Sequence, residues 1–423
     1  MEIVEVAKNP AELERLCSRG VAPSPEIHAK VLSILGDVKR GGMQAALKYA
    51  KAFDGLEADS LLISESAVRE SAAKAGNFLQ ASIREAISNV RRFHERQLET
   101  SWTMDFGSGV VLGQRIRPMK RVGLYVPGGA GVYPSTVIMC AVPALVAGVS
   151  EIVVVTPARG GIHPAVAFVL QELGIREVYH IGGAQAVGLL AYGAEGVERV
   201  DKIVGPGNVF AAVAKREVFG TVDIDMIAGP SEVLVLADET SNFEYVAADL
   251  LAQAEHGSGF EAAICITNSL LAAQKVAEQV EAQVKASPKR EMLEKVLSNY
   301  GRILVVKDWE EGAAIANSIA PEHLEVLTSN AEELAEKIDN AGAVFIGPWS
   351  SEPVGDYFAG PNHVLPTNGT ARFSSPLGVY DFLKRMSVIR YSEPALKKAA
   401  KAIAEIATAE GFYHHAQAVL KRL

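Results

Sequence analysis

The amino-acid sequence predicts an α/β protein with two parallel-sheet domains, each Rossmann-like but incomplete. Three observations lead to this class. The chain has 423 residues, of which 49% are hydrophobic, so it can bury more than one core. Short β-rich runs alternate with helical stretches, which is the pattern of βαβ crossovers. The alternation occurs in two successive series, as a duplication would produce.

The first hundred residues predict helices rather than strands. Residues 1–20 read as a short polar helical extension with no core of its own. From residue 25 to about residue 99, apolar side chains recur at helical spacing, as in Ile27, Val31, Ile34, Leu35 and Val38. Residues 107–119 then alternate between apolar and polar positions in the manner of a β-hairpin.

The two series of β-rich runs begin after this hairpin. The first series comprises Val122–Val126, Ile152–Val155, Val178–Ile181 and Ile203–Val204. The second comprises Val233–Leu236, Ala263–Ile266, Ile303–Val306 and Val344–Ile346. Gly229-Pro230-Ser231 lies between the series and marks a crossing point. An Ala/Lys-rich segment over 393–423 predicts a helical tail.

Composition excludes several classes of partner. The net charge of −9 and a sequence pI near 5.6 argue against nucleic acid or an anionic membrane. The three cysteines, Cys17, Cys140 and Cys265, include no CxxC pair, which favours a reducing compartment over a disulfide framework. One uncharged run, 122–150, has the length of a membrane span. It contains three prolines and a Gly-Gly pair, so we predict a buried strand, a loop and a helix in a cytoplasmic protein.

Three glycine-rich turns in the first series each follow a strand and precede a helical stretch. They are Val126-Pro127-Gly128-Gly129, Ile181-Gly182-Gly183-Ala184-Gln185 and Val204-Gly205-Pro206-Gly207-Asn208. Ligands bind beyond the carboxyl ends of parallel strands, and helix N-termini there favour phosphates. The turns are therefore candidates for dinucleotide binding without a GxGxxG motif. The alternative is that glycine is needed only for tight βα turns.

A candidate metal site begins at residues 250–257, which read as the last turns of a helix closed by Gly257. Gln253 and His256 are three residues apart and so would share a helical face. Two polar residues at a solvated helix end are the alternative interpretation. Asp356 and a further histidine would complete a ligand set without thiolates, which suits Zn²⁺ or a neighbouring divalent ion.

Other segments carry candidate proton acceptors. Glu322 and His323 are adjacent, and His363 lies in a segment over 350–375 that is rich in Gly, Pro, Asn, Thr and Ser. Long irregular segments in compact α/β proteins are often functional. The tail also carries Glu410 and the doublet His414-His415, an unusual set for a helix that only packs.

These segments together resemble the histidinol dehydrogenase family over nearly the whole chain and in order. The resemblance is carried by Gly123-Leu124-Tyr125-Val126-Pro127-Gly128-Gly129, Gly182-Gly183-Ala184-Gln185-Ala186, Gly205-Pro206-Gly207-Asn208, Gly229-Pro230-Ser231-Glu232, Leu251-Ala252-Gln253-Ala254-Glu255-His256, Pro321-Glu322-His323-Leu324-Glu325, Gly355-Asp356-Tyr357 and Gly360-Pro361-Asn362-His363-Val364-Leu365-Pro366-Thr367. It implies a homodimer with a shared active site, whose terminal helical extensions serve dimerisation. It also implies one Zn²⁺ per subunit and oxidation of L-histidinol to L-histidine through an aldehyde with two NAD⁺, the last step of histidine biosynthesis.

The resemblance also implies residue roles. The implied zinc ligands are Gln253, His256, Asp356 and, from the other subunit, His415, whose spacing from Glu410 is preferred over that of His414. These four and Ser231, His323, His363 and Glu410 are the implied substrate contacts. The implied NAD contacts are Tyr125, Gln185 and Asn208. His323 is expected to take the hydroxyl proton of the alcohol, and Glu322 to activate the water that hydrates the aldehyde.

The expected domain organisation follows the same resemblance. Residues 1–20 form an N-terminal helical extension, and 21–120 with 231–377 form a larger α/β domain that carries the metal and catalytic residues. Residues 121–230 form an inserted α/β domain with the NAD-binding loops, and 378–423 form a C-terminal helical tail. Three alternatives remain open: a related enzyme for another alcohol such as a sulfonated diol, a zinc hydrolase that uses Glu322, and a non-catalytic metal- or nucleotide-binding protein.

Overall fold

Fourteen strands and sixteen helices make up the fold in the computed structural model, which describes residues 1–19, 24–128 and 131–423. The strands are β1 (Glu2–Glu5), β2 (Trp102–Asp105), β3 (Val110–Pro118), β4 (Arg121–Tyr125), β5 (Glu151–Val155), β6 (Glu177–Tyr179), β7 (Lys202–Val204), β8 (Asp223–Ile224), β9 (Glu232–Leu236), β10 (Ala262–Thr267), β11 (Gly301–Val305), β12 (His323–Val326), β13 (Ala343–Ile346) and β14 (Leu383–Tyr391). The helices are α1 (Pro10–Cys17), α2 (Pro25–Tyr49), α3 (Glu65–Ala72), α4 (Asn77–His94), α5 (Pro134–Ala147), α6 (Pro164–Glu172), α7 (Gly183–Tyr192), α8 (Val209–Val218), α9 (Phe243–Ala254), α10 (Leu270–Ala286), α11 (Arg290–Tyr300), α12 (Trp309–Ile319), α13 (Ala331–Ala335), α14 (Glu352–Val354), α15 (Glu393–Ala409) and α16 (Tyr413–Leu420).

The strands form three sheets. One is parallel and six-stranded, in the order β1-β11-β10-β9-β12-β13, and a second is parallel and five-stranded, in the order β6-β5-β4-β7-β8. The third is antiparallel, in the order β14-β3-β2. The predicted α/β class with two parallel sheets is therefore confirmed. The helices between successive parallel strands are the crossovers that parallel pairing requires.

Each parallel sheet is covered by helices on both faces. On the five-stranded sheet, α2, α7 and α8 bury one face and α3 to α6 bury the other. On the six-stranded sheet, α9 to α11 cover one face, while α1, α12 and α13 cover the other. The eight predicted strands could be recognised because seven of them are buried on both faces and read as continuous apolar runs, whereas β13 is an edge strand with exposed Val344 and Ile346. These eight strands are present as β4 to β7, β9 to β11 and β13.

Two expectations about the chain termini are wrong. Residues 2–5 are not helical: they form β1, an edge strand that pairs parallel to β11. The segment also has a buried anchor, because Leu16 of α1 is fully buried in the core of the six-stranded sheet. At the other end, residues 383–391 of the expected helical tail form β14, which pairs along its whole length with β3. The helices predicted beyond residue 393 are present as α15 and α16.

The helices of residues 21–120, which were expected to group with 231–377, pack mainly on the five-stranded sheet. The apolar stripe of α2, which includes Val31, Ile34 and Leu35, packs against α7 and α8 of the five-stranded sheet. Helices α3 and α4 pack on α6 and α5 of the same unit. Helix α4 also contacts residues 355–359, where Nδ2 of Asn89 donates to the carbonyl of Phe358 over 3.0 Å. The expected boundary between residues 20 and 21 lies outside the described residues.

The uncharged run 122–150 resolves as predicted into a buried strand, a loop and a buried helix, β4 and α5. None of the helices in the described ranges is both long enough and apolar enough to cross a membrane. The three cysteines are free thiols, with Cys140 and Cys265 buried.

Candidate active site and nucleotide cleft

The candidate catalytic residues lie at the amino-terminal edge of the six-stranded sheet. Glu322 immediately precedes β12, and His323 is its first residue. The neighbouring strand β9 begins at Glu232, in register with this point, since Val233 lies opposite His323. Ala320, which ends α12, has a left-handed backbone with φ of 47°. That turn reverses the chain so that Pro321-Glu322-His323 enters the sheet edge directly.

His323 is held in one orientation by its backbone neighbour. Its Nδ1 lies 3.1 Å from the carbonyl oxygen of Glu232, so Nδ1–H donates to that carbonyl. The assigned tautomer leaves a lone pair on Nε2. Nε2 lies 3.4 Å from Oδ1 of Asp356, and the ring is almost fully buried. When it is neutral, an imidazole fixed in this way presents Nε2 as a proton acceptor; when it is protonated, Nε2–H faces Asp356.

Glu322 forms a reciprocal pair of hydrogen bonds with Glu232. The N–H of Glu232 donates to Oε2 of Glu322 over 2.9 Å, and the N–H of Glu322 donates to Oε2 of Glu232 over 3.3 Å. Burial raises the pKa of Glu322 to about 8, against the lowering effect of His323. A carboxylate with a raised pKa is a stronger base, as a general base near neutral pH requires.

The charge around His323 is strongly negative. Among the described residues, one group of His, Cys, Asp or Glu side chains could share an ion: His323, Glu352 and Asp356, with ligand atoms within 4.8 Å of one another. Burial would lower the pKa of His323, but Glu322, Asp356 and Glu352 outweigh it and raise that pKa to about 10. This excess of carboxylates over cations is the environment that a divalent metal ion would neutralise.

The helix that carries the candidate metal ligands ends earlier than predicted. Helix α9 begins at an Asn242 cap and stops at Ala254, so Gln253 lies in its last turn and His256 lies beyond it. Gly257 is left-handed, with φ of 75°, but it follows a turn through Glu255 and His256 rather than the helix itself. The two side chains therefore do not share a helical face, and His256 is exposed while Gln253 is fully buried.

Gln253 is the residue that best fits a missing ligand. Its side chain has 0% exposure, and neither Oε1 nor Nε2 has a hydrogen-bond partner in the described part of the chain. An unpaired buried carboxamide costs about 1–3 kcal/mol, so such groups normally have a partner. Burial would raise the pKa of Asp356, yet the nearby His323, His363 and His256 lower it. The predicted ligands Gln253, His256 and Asp356 carry oxygen and nitrogen donors of the kind that Zn²⁺ accepts, but of His256 and Asp356 only Asp356 belongs to the group close enough to share an ion.

Three buried carboxyl groups behind these side chains were missed by the sequence reasoning. Each lies close in sequence to a site residue: Asp249 to Gln253 on α9, Glu325 to His323 on β12, and Glu352 to Asp356 in the segment after β13. We call Asp249, Glu325 and Glu352 the inner carboxyl cluster. The N–H of Glu352 donates to Oε1 of Glu325 over 2.7 Å, and Asp249 shares a hydrogen bond with Glu325. Burial and Asp249 raise the pKa of Glu325 to about 9, so this pair holds a proton.

The remaining predicted substrate contacts lie at different distances from this centre. His363 is half-buried, and its Nδ1 lies 3.1 Å from the backbone oxygen of Asp356. Ser231 immediately precedes β9 and is half-buried. Glu410 and His415 are exposed on the paired helices α15 and α16, where His415 stacks on Phe412. Within this chain the structure does not bring these two tail residues to Asp356.

The predicted dinucleotide contacts do come together. Tyr125, Gln185 and Asn208 all line one cleft of about 1010 Å³ at the carboxyl edge of the five-stranded sheet. The hydroxyl of Tyr125 accepts a hydrogen bond from the N–H of Gly183, and burial raises its pKa to about 12. Asn208 caps the N-terminus of α8 through hydrogen bonds to two backbone N–H groups. Gly128 lines the cleft too, whereas Gly129 lies outside the described residues.

Two buried charged groups hold the cleft loops. Asp54 accepts hydrogen bonds from the N–H of Gly182 and from Nε2 of Gln185, each over 3.1 Å. Asp225 accepts from the N–H of Gly205 over 2.7 Å, and Lys215, which is ion-paired to Asp225, donates to the carbonyl of Gly205 over 2.9 Å. Gly205 has φ of 114° and approaches the backbone of β4 too closely for any side chain. Helix capping and these anchors fix the loop geometry.

A nucleotide-sized cleft and a buried carboxyl–imidazole pair within one α/β chain define an oxidoreductase that uses a dinucleotide. The chain belongs to the histidinol dehydrogenase family, whose model matches residues 18–423. It is 49% identical over 403 residues to the histidinol dehydrogenase of Bacillus subtilis (strain 168), covering 95% of this chain and 94% of that one. It is 48% identical over 422 residues to that of Geobacillus kaustophilus (strain HTA426), covering 99% of each. The crystal structure of the histidinol dehydrogenase from Elizabethkingia anophelis superposes with a TM-score of 0.93 at 36% identity, covering 100% of this chain and 98% of that chain.

Proposed function

We propose that this chain oxidises L-histidinol to L-histidine through L-histidinaldehyde, the last step of histidine biosynthesis, with two NAD⁺ and one Zn²⁺ per subunit. Family membership gives the reaction class, that of an NAD-dependent dehydrogenase. The observation that supports the two-step oxidation is the pair Glu322–His323. Two adjacent buried bases, each bonded to a different backbone group of Glu232, match two successive proton transfers.

His323 serves the alcohol step. With Nδ1–H bonded to the carbonyl of Glu232, Nε2 accepts the proton of the carbinol hydroxyl as hydride leaves the carbinol carbon for the nicotinamide. The product of this step is the aldehyde. A positioned base of this kind contributes about 10²–10⁴-fold to the rate of the step it serves.

Glu322 serves the aldehyde step. An aldehyde has to add water before a second hydride can leave it. Glu322 takes one proton from that water as its oxygen bonds to the carbonyl carbon, and the hydrate then gives up hydride to the second NAD⁺ and becomes the carboxylic acid. The raised pKa of Glu322, caused mainly by burial, suits this role. Because both bases are buried in the same site, the reactive aldehyde need not leave that site between the two steps.

Gln253, His256 and Asp356 would hold the metal, with His415 supplied by a second copy of the chain. Bound Zn²⁺ would act as a Lewis acid that binds the imidazole and amine nitrogens of histidinol. The exposure of His415 on a tail that does not reach the site within its own chain supports a homodimer with a shared site. Ser231, His363 and Glu410 would contact the substrate.

The cleft of the five-stranded sheet would bind NAD through Tyr125, Gln185 and Asn208. Its volume accommodates a nucleotide, and its loops end at the N-termini of α7 and α8. Backbone N–H groups at such positions bind phosphates. The nicotinamide, when NAD is bound, accepts the hydride that leaves the substrate carbon.

The proposal is tested by the stoichiometry and metal dependence of NADH formation. Purified protein with limiting L-histidinol should form two NADH for each histidinol consumed, lose activity on chelation, and regain it with Zn²⁺. Formation of one NADH per alcohol would contradict the two-step assignment, and unchanged activity after verified metal removal would contradict the metal assignment.

The same preparation separates the competing functions. A sulfonated diol oxidised faster than L-histidinol would favour the related enzyme for another alcohol. Ester or amide hydrolysis without NAD would favour the zinc hydrolase. Binding of zinc or NAD without turnover of any of these substrates would favour a non-catalytic binding protein.

A further inference from the structure

The amino-terminal segment places a buried cation beside the catalytic pair. Arg19, which follows α1, is 8% exposed. Its Nη2 lies 2.9 Å from Oε1 of Glu232, and the side chains of this ion pair are 5% and 3% exposed. Nη1 of Arg19 also donates to the carbonyl of Leu16, which fixes the guanidinium to α1. A buried guanidinium is retained only where an anion and further acceptors satisfy it.

Glu232 joins Arg19 to Glu322. Its Oε1 accepts from Arg19 and from the N–H of Asn368, each over 2.9 Å, and its Oε2 accepts from the N–H of Glu322 over 3.3 Å. Glu232 in turn donates its own N–H to the carboxylate of Glu322. Glu322, the base proposed for the aldehyde step, therefore has both its backbone N–H and its side-chain carboxylate bonded to Glu232, whose charge is balanced by Arg19.

We propose that Arg19 is a positioning residue for Glu322, acting through Glu232. The inference rests on the proposed function, in which Glu322 is the base of aldehyde oxidation. Arg19 is the ion-pair partner of the buried carboxylate of Glu232, and that carboxylate accepts the N–H of Glu322. Without the guanidinium, the buried carboxylate would lose its partner and turn towards water or another donor, which would alter its bond to the N–H of Glu322.

Loss of the Arg19 guanidinium should displace Glu322 more than His323. His323 is bonded to the backbone carbonyl of Glu232, which the parallel pairing of β9 and β12 holds in register. Glu322 precedes β12 and depends on the Glu232 side chain. Displacement of a catalytic group by about 1 Å can cost about 10²-fold in rate.

The test compares Arg19→Met, Arg19→Lys and the double variant Arg19→Met/Glu232→Gln as zinc-loaded full-length protein. Alcohol and aldehyde oxidation are measured separately, with L-histidinol and with L-histidinaldehyde as substrates. Arg19→Met should lower kcat for aldehyde oxidation by about 10–100-fold and alcohol oxidation by less than about 3-fold. Arg19→Lys should recover part of the loss because it keeps the charge. The double variant should oxidise the aldehyde faster than Arg19→Met does, because it leaves no unpaired carboxylate.

The matched control is Arg15→Met, which removes another cation of the same segment. Arg15 pairs with Glu12 and donates to the carbonyl of Asn299, away from the catalytic pair, so both half-reactions should keep their rates. Equal losses in both half-reactions for Arg19→Met, or a double variant no better than Arg19→Met, would overturn the inference. If Arg19→Met does not fold, Arg19→Lys is compared with wild type instead. A greater loss of kcat in aldehyde oxidation than in alcohol oxidation supports the inference, and equal losses overturn it.

Glu322→Gln, measured alongside, separates this inference from the proposed function. If Glu322→Gln impairs aldehyde oxidation selectively and the Arg19 variants do not, the role of Arg19 fails and that of Glu322 stands. If Glu322→Gln impairs both half-reactions equally, the division of roles fails. The link between Arg19 and Glu232 is then decided by kcat for the whole reaction: recovery in the double variant supports it, and no recovery overturns it.

Discussion

Replacement of Gln253 by methionine should stabilise the metal-free protein, contrary to the usual effect of a core substitution. Methionine is close to glutamine in length but has no strong polar group. In the structure, the carboxamide of Gln253 is fully buried and both of its polar atoms lack a partner among the described residues. Removing a buried polar group that makes no hydrogen bond gains about 1–3 kcal/mol in the free energy of unfolding.

Gln185 offers a matched control, since it is a second glutamine that is almost fully buried. Its Nε2 donates to Oδ2 of Asp54 over 3.1 Å. Gln185→Met would leave that buried carboxylate with one donor fewer, so it should lower the free energy of unfolding by about 1–3 kcal/mol. The same chemical change is therefore expected to have opposite signs at Gln253 and Gln185.

The assay is urea unfolding of wild type, Gln253→Met and Gln185→Met, with chelator and then with Zn²⁺. A ligand at one hundred times its Kd stabilises a protein by about 2.7 kcal/mol. Zinc should give this stabilisation to wild type and to Gln185→Met, and clearly less to Gln253→Met. The reasoning is refuted if Gln253→Met destabilises the metal-free protein as much as Gln185→Met does, or if zinc stabilises all three proteins equally.

Four further outcomes are expected. Glu322→Gln should slow aldehyde oxidation by about 10²–10⁴-fold and alcohol oxidation much less, as measured with the two substrates separately; equal losses would contradict the division of roles. His415→Asn should weaken zinc binding in equilibrium dialysis, and mixing it with Glu322→Gln subunits should restore some activity if the ligand crosses the dimer; no recovery would contradict a shared site. Asp225→Asn should raise KM for NAD⁺ about 10-fold through its loop at Gly205, without changing KM for histidinol; the reverse pattern would contradict the assignment of the cleft. Glu325→Gln should flatten the pH dependence of stability: since burial raises the folded pKa of Glu325 from 4.5 to about 9, wild-type stability declines as pH rises through that window, and urea unfolding at several pH values should show a smaller decline in the variant.

The strands that were predicted share one property, burial on both faces, except for the edge strand β13. Such strands read as continuous apolar runs, as in Glu151–Val155 and Glu232–Leu236. Strand β12 was missed because His323 and Glu325 interrupt its apolar residues. Those polar side chains point to the site rather than to solvent. The polar residues to which we assign catalytic roles are therefore the ones that obscured this strand in the sequence.

Other features depend on information that a local pattern does not contain. The apolar stripe of α2 indicates that one face is buried, but not which sheet covers it. The inner carboxyl cluster reads as ordinary charged residues, although each member is spaced from a site residue by two or four positions. These carboxyl groups become buried only when α9, β12 and α14 pack together, and the sequence pattern does not show that packing. The role proposed for His415 requires a second subunit, so the structure of a single chain does not show it.

The pairing of β1 with β11 has a consequence for synthesis of the chain. Residue 2 lies beside residue 302, whereas all the strands of the five-stranded sheet fall between residues 121 and 224. At about 5–20 residues per second, the first strand would wait roughly 15–60 seconds for its partner to be translated. The nucleotide cleft can therefore form while the ribosome is still working. Arg19 pairs with Glu232, and Glu232 can bond to Glu322 only after residue 322 has been translated, so the proposed catalytic pair is completed after the strands of the five-stranded sheet.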